Sequence, residues 1–172
     1  MTDNSPLPVN AFTFVLHGAG GDLAKRKIIP ALAHLAKSGY FSAESRIIFA
    51  QREALSPEQA LAQVDAFLKA AGDEAARESI SALLPYLNTL QVVLGTPESC
   101  RAMANAVAGC PEPVVHYAAL PSSRFIDLIN CIPTVRDPEK LRLVLEKPLG
   151  FNAKESALIE EAVAAKLDES QV

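Results

Sequence analysis

Twelve residues near the start, Leu16-His-Gly-Ala-Gly-Gly-Asp-Leu-Ala-Lys-Arg-Lys27, constrain the fold of this chain more than any other stretch. The apolar run Phe12 to Leu16 reads as a buried strand, glycines follow at 18, 20 and 21, and a helical pattern opens near Asp22. A strand, a glycine-rich turn and a helix let backbone approach a pyrophosphate closely. The glycines remove Cβ atoms that would collide with phosphate, and the helix start offers free N–H donors and the positive end of its dipole. The match to Gly-x-Gly-x-x-Gly is imperfect, because Leu23 stands where the third glycine belongs. Taken alone, the glycines fit a plain strand-to-helix turn equally well. The rest of the chain decides.

The first helix is predicted over Asp22 to Lys37, with Leu23, Ile28, Leu32, Leu35 and Ala36 on one face and Gly39 as its C-cap. Pro30 inside it predicts a kink. Arg46 to Ala50 is a second strand. Ser56-Pro57-Glu58-Gln59 is a capping box with proline at the first helical position, opening a helix that ends near Gly72. Further patterns predict a helix from Asp73 to Leu84, a strand from Thr89 to Leu94, a helix from Glu98 to Ala108 and a strand from Val114 to Ala119. A short helix from Ser122 to Asn130, a strand from Leu141 to Leu145 and a helix from Asn152 to Leu167 complete the series. Continuous apolar strands separated by helices describe a parallel sheet covered on both faces. The expected fold is therefore α/β: a Rossmann-like, doubly wound parallel sheet in three αβα layers. Residues 1–10 are expected to form a flexible lead-in and 11–172 a single domain.

Composition narrows the partners. A formal charge of −4 gives no case for nucleic acid or an anionic membrane surface. The uncharged stretch Ser79 to Pro97 is interrupted by Pro85, Asn88, Thr89 and Gln91, so no membrane span is expected there. The start lacks the pattern of a signal peptide. Cys100, Cys110 and Cys131 are odd in number and lack metal-ligand spacing, which reads as reduced thiols in a cytoplasmic protein without a metal site.

The end of the second strand bears on the choice of dinucleotide. An acidic residue there would bond a ribose 2′-hydroxyl, whereas arginine would pair with a 2′-phosphate. The strand ends Ala50-Gln51-Arg52, and Arg52 favours the phosphate through its planar fork. Glu53 follows and opposes it. NADP is favoured, and NAD stays open.

With these residues in place, the sequence resembles the amino-terminal coenzyme domain of the glucose-6-phosphate dehydrogenase family. Four segments carry the resemblance. Gly18-Ala-Gly-Gly-Asp-Leu-Ala-Lys-Arg-Lys27 with Pro30 is similar to Gly-Ala-Ser-Gly-Asp-Leu-Ala-Lys-x-Lys-x-x-Pro, and Ala50-Gln51-Arg52 matches the family's arginine after its second strand. Tyr117-Ala-Ala-Leu-Pro121 is similar to Tyr-Leu-Ala-Leu-Pro, and Leu145-Glu-Lys-Pro-Leu-Gly150 to Val-Glu-Lys-Pro-Phe-Gly. The resemblance implies that Gly18, Ala19, Gly20, Gly21, Asp22 and Leu23 cradle the pyrophosphate and that Arg52 holds the 2′-phosphate. It places Ala119, Leu120 and Pro121 beside the nicotinamide, and turns Lys27 and Lys147 toward the sugar phosphate and coenzyme. It also implies a cis bond between Lys147 and Pro148 that aims Lys147 into the cleft. Gly20 replaces a serine or threonine, removing a hydroxyl contact, and Ala54 stands where many members carry a second arginine.

The same resemblance implies a boundary. In the family, a segment similar to Glu169-Ser-Gln-Val172 leads into Tyr-Arg-Ile-Asp-His and the substrate domain. Hydride loss from C1 of the sugar requires a base titrating near neutrality. His17 at the glycine turn, His34 on the first helix and His116 in a strand read as packing or surface residues, and Asp127 and Glu146 form no evident acid–base pair. No catalytic residue is expected, and a sugar phosphate substrate only when a carboxy-terminal half completes the site. The readings are the coenzyme part of a glucose-6-phosphate dehydrogenase of the pentose phosphate pathway, inactive alone, a stand-alone NADP-binding module, or a truncated remnant. An oligomer is allowed, but the family associates mainly through its later part.

Overall fold

The computed structural model describes residues 9–135 and 137–172. In chain order the main elements are β1 (Thr13–His17), α1 (Ile29–Lys37), β2 (Arg46–Gln51), α2 (Pro57–Ala71), α3 (Glu74–Ile80), β3 (Leu87–Gln91), α4 (Pro97–Val107), β4 (Val114–Ala118), α5 (Phe125–Cys131), β5 (Leu141–Leu145) and α6 (Ala153–Lys166). The strands form one parallel sheet in the order β3-β2-β1-β4-β5. The chain builds outward from β1 through β2 to β3, then crosses back to lay β4 on the other side of β1. That reversal opens a crevice beyond the carboxyl ends of β1 and β4, where open α/β sheets take their ligands.

The inner strands β1, β2 and β4 are largely buried on both faces and mostly apolar, whereas the edge strands β3 and β5 carry Asn88, Thr89, Gln91 and Arg142. Leu16, Ile47 and Phe49 point to one side and pack with Ile29 and Leu32 of α1, Leu61, Val64 and Leu68 of α2, and Ile80 of α3. Val15, Ile48, Ala50 and Val114 point to the other side, toward Val107 of α4. Farther along that side, Ala118, Leu141 and Leu143 meet Met103, Leu128 and Ile159. The three-layer arrangement agrees with expectation.

Several details differ. The first helical stretch begins as expected near Asp22, but Ala24–Ile28 forms a wide π turn in which the Ile29 N–H donates to the Ala24 carbonyl. Pro30 then falls in the first turn of the α-helical segment that follows, where a missing N–H removes no ladder bond. The extra residue in the turn also rotates the buried face: Ala24, Ile29, Leu32 and Ala33 are buried, while Leu23 and Leu35 are exposed. Gly39 does terminate α1, at φ +78, with the Tyr40 N–H reaching back to the Leu35 carbonyl. The capping box at Ser56 is formed in both directions, at 3.2 Å and 2.8 Å. β3 lies earlier than expected, because the ladder it shares with β2 ends where β2 does, at Gln51 opposite Gln91. The predicted helix from Asp73 is split into α3 and a 3₁₀ segment over Ser81–Tyr86.

The cysteine expectation is corrected. Cys100 and Cys131 form a disulfide, since α4 packs against α5 and brings together residues 31 apart in sequence. Cys110 is free, with its thiol donating to the Ala106 carbonyl. Cysteine usage therefore no longer argues for a reducing compartment. Most of the expected lead-in lies outside the described residues, but Val9 is fastened to the Tyr40 carbonyl at 2.9 Å. Among the described residues, no helix is long and apolar enough to cross a membrane.

A polar pair sits inside this apolar sheet. His17 and His116 lie on the same face of neighbouring strands, and His17 Nε2 and His116 Nδ1 share a hydrogen bond of 3.0 Å. Both rings are sealed from solvent, leaving His17 Nδ1 and His116 Nε2 without a partner in the protein. Burial lowers the His116 pKa to about 4; burial, and then the neighbouring ring, hold His17 well below 6.5. Both are therefore neutral when folded, whereas the unfolded chain takes up protons below about pH 6.5. Stability is expected to rise with pH across this window and to be lost as pH falls from 6.5 toward 4, by up to ~1.4 kcal/mol per pH unit for each histidine. Urea unfolding at pH 7, 6 and 5 measures the slope. The double variant His17→Leu/His116→Leu should flatten it, and a parent profile already flat would contradict the buried neutral pair.

Candidate dinucleotide-binding cleft

The crevice predicted by the strand order is a cleft of about 660 Å³ at the carboxyl ends of β1, β2 and β4. Its shape depends on close backbone contacts. The Gly18 N–H donates to the Ala50 carbonyl at 2.9 Å, and the Ala119 N–H donates to the His17 carbonyl at 3.0 Å, pinning the exit of β1 between its neighbours. Gly18 has φ +80, and a Cβ built there would lie 2.4 Å from the Ala119 oxygen. Only glycine fits. The Gly21 N–H closes the turn onto the Gly18 carbonyl at 2.9 Å. Gly20 is different: the nearest atom to a Cβ there is Gln51 Oε1 at 3.6 Å, so its missing side chain leaves room rather than relieving a clash.

Of the expected cofactor residues, Gly18, Gly20, Gly21, Arg52, Ala119, Leu120 and Pro121 all line this one cleft. Ala19 is buried beneath the turn. Asp22 and Leu23 are exposed at the start of the helical stretch and do not line it, and Asp22 lies 4.0 Å from Arg26. Lys27 and Lys147 are likewise exposed and outside the lining. The Lys147-Pro148 bond is cis, but Lys147 does not reach the cleft.

The structure adds residues to the cleft that sequence reasoning did not select: His17 in its floor, Lys25, Gln51, Gln63, Val92 to Leu94 and Arg124. Lys25 and Gln51 stood in the quoted motifs, so spacing alone could have raised them. Arg124 carried no signal beyond lying three residues after Pro121. Its guanidinium donates to the Leu94 carbonyl at 2.6 Å and pairs with Asp127 at 3.0 Å. Glu53, the residue expected to oppose a 2′-phosphate, also lines the cleft and accepts a bond from Gln63 at 3.2 Å. Among the described residues, Arg52 makes no ion pair, so its charge is free for a ligand.

Acid–base chemistry is poorly served. His17 and His116 are sealed and neutral, and the Tyr117 hydroxyl donates to the Glu146 carboxylate, with burial first and that bond second raising the Tyr117 pKa to about 12. No cluster of potential metal ligands occurs among the described residues. The cleft does fit a dinucleotide: a side-chain-free turn at Gly18 that admits close backbone approach, a free guanidinium at Arg52, and a buried donor, Gln51 Nε2, with no partner in the protein.

Comparison with known proteins agrees with this geometry. Residues 15–172 match the family model described as glucose-6-phosphate dehydrogenase, NAD binding domain. The glucose-6-phosphate 1-dehydrogenase of Dickeya dadantii is 30% identical over 94% of this chain and 33% of its own length. That of Helicobacter pylori strain J99 is 31% identical over 94% of this chain and 37% of its own. The crystal structure of the Mycobacterium avium enzyme superposes with a TM-score of 0.77 at 23% identity, over 94% of this chain and 35% of that one, which supports the fold. The chain thus spans about a third of the length of the curated relatives it matches. A nicotinamide dinucleotide is the coenzyme class that this match and the cleft have in common. The chain belongs to the family of glucose-6-phosphate dehydrogenase NAD-binding domains.

Proposed function

We propose that this chain is the NADP-binding part of a glucose-6-phosphate dehydrogenase. The observation that carries the reading is the Gly18 turn, closed by its neighbours so that only glycine fits, with Arg52 free at the other side of the same cleft. The turn and the first helical N–H groups would hold the pyrophosphate, Arg52 the 2′-phosphate, and Ala119 to Pro121 the nicotinamide end. The coenzyme, when bound, supplies the acceptor for oxidation at C1 of glucose 6-phosphate. This chain's residues bind and orient it. His17, in the floor of the cleft, is buried and resists protonation, so it does not serve to take the C1 hydroxyl proton. The reading assigns the chain the coenzyme half of the reaction and no general base.

Calorimetric titration of the folded chain with NADP⁺ and with NAD⁺ tests it. Saturable binding with NADP⁺ preferred is expected, and Arg52→Ala should remove about ten- to a hundredfold of NADP⁺ affinity, the range of a charged hydrogen-bond partner. NAD⁺ affinity should change little. A folded chain that binds neither dinucleotide would overturn the reading.

The two glycines should also separate. Gly18→Ala forces a Cβ against the Ala119 oxygen at positive φ and should cost about 2 kcal/mol of stability, with binding lost. Gly20→Ser has space, should alter stability by less than ~0.5 kcal/mol, and should tighten binding by restoring a hydroxyl at the turn. Thermal melts and the same titrations read both outcomes.

A further inference from the structure

Gln51 is the last residue of β2 and the only polar side chain there that is both buried and unsatisfied among the described residues. It is 9% exposed, lines the cleft between the glycine turn and Arg52, and its Nε2 has no hydrogen-bond partner. A buried amide donor left unpaired is costly, so such a group in a binding cleft calls for an acceptor from outside the protein. The carboxamide lies beside Gly20, in space that a side chain at that turn position would otherwise share, at 3.6 Å from the site of the absent Cβ. Rotation about χ3 exchanges its two ends, so it can present either the NH₂ or the oxygen to a ligand.

We infer that Gln51 is the residue that reads the ribose 2′ substituent of the adenosine, accepting either hydroxyl or phosphate. The inference rests on the dinucleotide reading above. The carboxyl end of the second strand is where an acidic side chain, in sheets of this type, bonds a 2′-hydroxyl and repels a 2′-phosphate. Gln51 has that location without the charge. Its NH₂ donates to a phosphate oxygen, and its oxygen accepts from a hydroxyl, so both dinucleotides retain a partner. Arg52 then adds only the increment that the phosphate charge supplies. Glu53 lies two residues further on, where one of its oxygens accepts from Gln63 while the carboxylate keeps its charge.

Two variants test this by calorimetric titration with NADP⁺ and NAD⁺, after circular dichroism shows that each is folded. Gln51→Met keeps the volume and removes both polar ends, and should weaken both dinucleotides by about tenfold. Gln51→Glu should leave NAD⁺ within a few-fold and weaken NADP⁺ at least a hundredfold, inverting the preference. Unchanged affinities in Gln51→Met would overturn the inference while leaving the coenzyme reading intact. Equal losses of both dinucleotides in Gln51→Glu would also overturn it, by placing the amide away from the 2′ position. A parent chain that binds neither would overturn the coenzyme reading, and this inference with it.

Discussion

The distance of 2.4 Å between the Ala119 oxygen and the place where a Cβ at Gly18 would stand sets the geometry of the whole ligand face. β1 is the middle strand, and both flanking ladders end at its last residue, His17 against Ala50 on one side and Ala118 on the other. For the chain to turn out of the sheet there without pushing β4 away, the next residue must lack a side chain and adopt positive φ. Gly18 does both. The ends of three strands then come into register around one turn, and residues distant in sequence share one cleft. A side chain at Gly18 would separate the β1 turn from Ala119 to Pro121 and so divide the cleft in two.

The two-faced sheet imposes a second constraint. Covering it on both sides leaves few partners for buried polar side chains: Thr13 finds the Pro111 carbonyl, and His17 and His116 find each other. Whichever tautomer they adopt, one bond between two imidazoles leaves two nitrogens unpaired, and each such atom costs on the order of 1–3 kcal/mol. The pair therefore contributes polar character near the cleft floor at the expense of stability. It does not supply a base, because the burial that holds the rings in place also keeps them from charging. Position near the ligand and usable acidity are separate properties here, and the sheet provides only the first.

Much of this was legible in the sequence. Apolar runs bounded by turns marked β1, β2, β4 and β5, Ser56 to Gln59 marked its helix start, and the strand–turn–helix at Gly18 located the glycine turn of the cleft, because each of these signals is local. What differed came from one local irregularity and from pairing across the fold. Leu23 and Leu35 looked buried under a regular helical period, but the π turn before Pro30 shifted the buried face to Ala24, Ile29 and Ala33. The run through Val92 to Leu94 looked like strand, yet a strand lasts only as long as its partner, and β2 stops at Gln51. The bond between Cys100 and Cys131 follows from packing of α4 on α5, which no spacing rule expresses.

The charges in the cleft are not equivalent, and their environments rank them. Arg124 is occupied by the Leu94 carbonyl and Asp127, so its charge is largely compensated within the protein. The Lys25 ammonium lies 5.9 Å from the centre of the Phe67 ring, whose face favours a cation by electrostatics. Glu53 accepts from Gln63, a neutral amide that leaves its negative charge in the cleft. Arg52 has no such commitment, and an exposed guanidinium without a partner adds little to folding. Binding an anion at Arg52 therefore breaks no existing ion pair, whereas binding one at Arg124 would compete with Asp127. The cleft is thus electrostatically prepared at the end of β2, where Arg52 adjoins the unpaired Gln51 amide, and much less so beside Pro121.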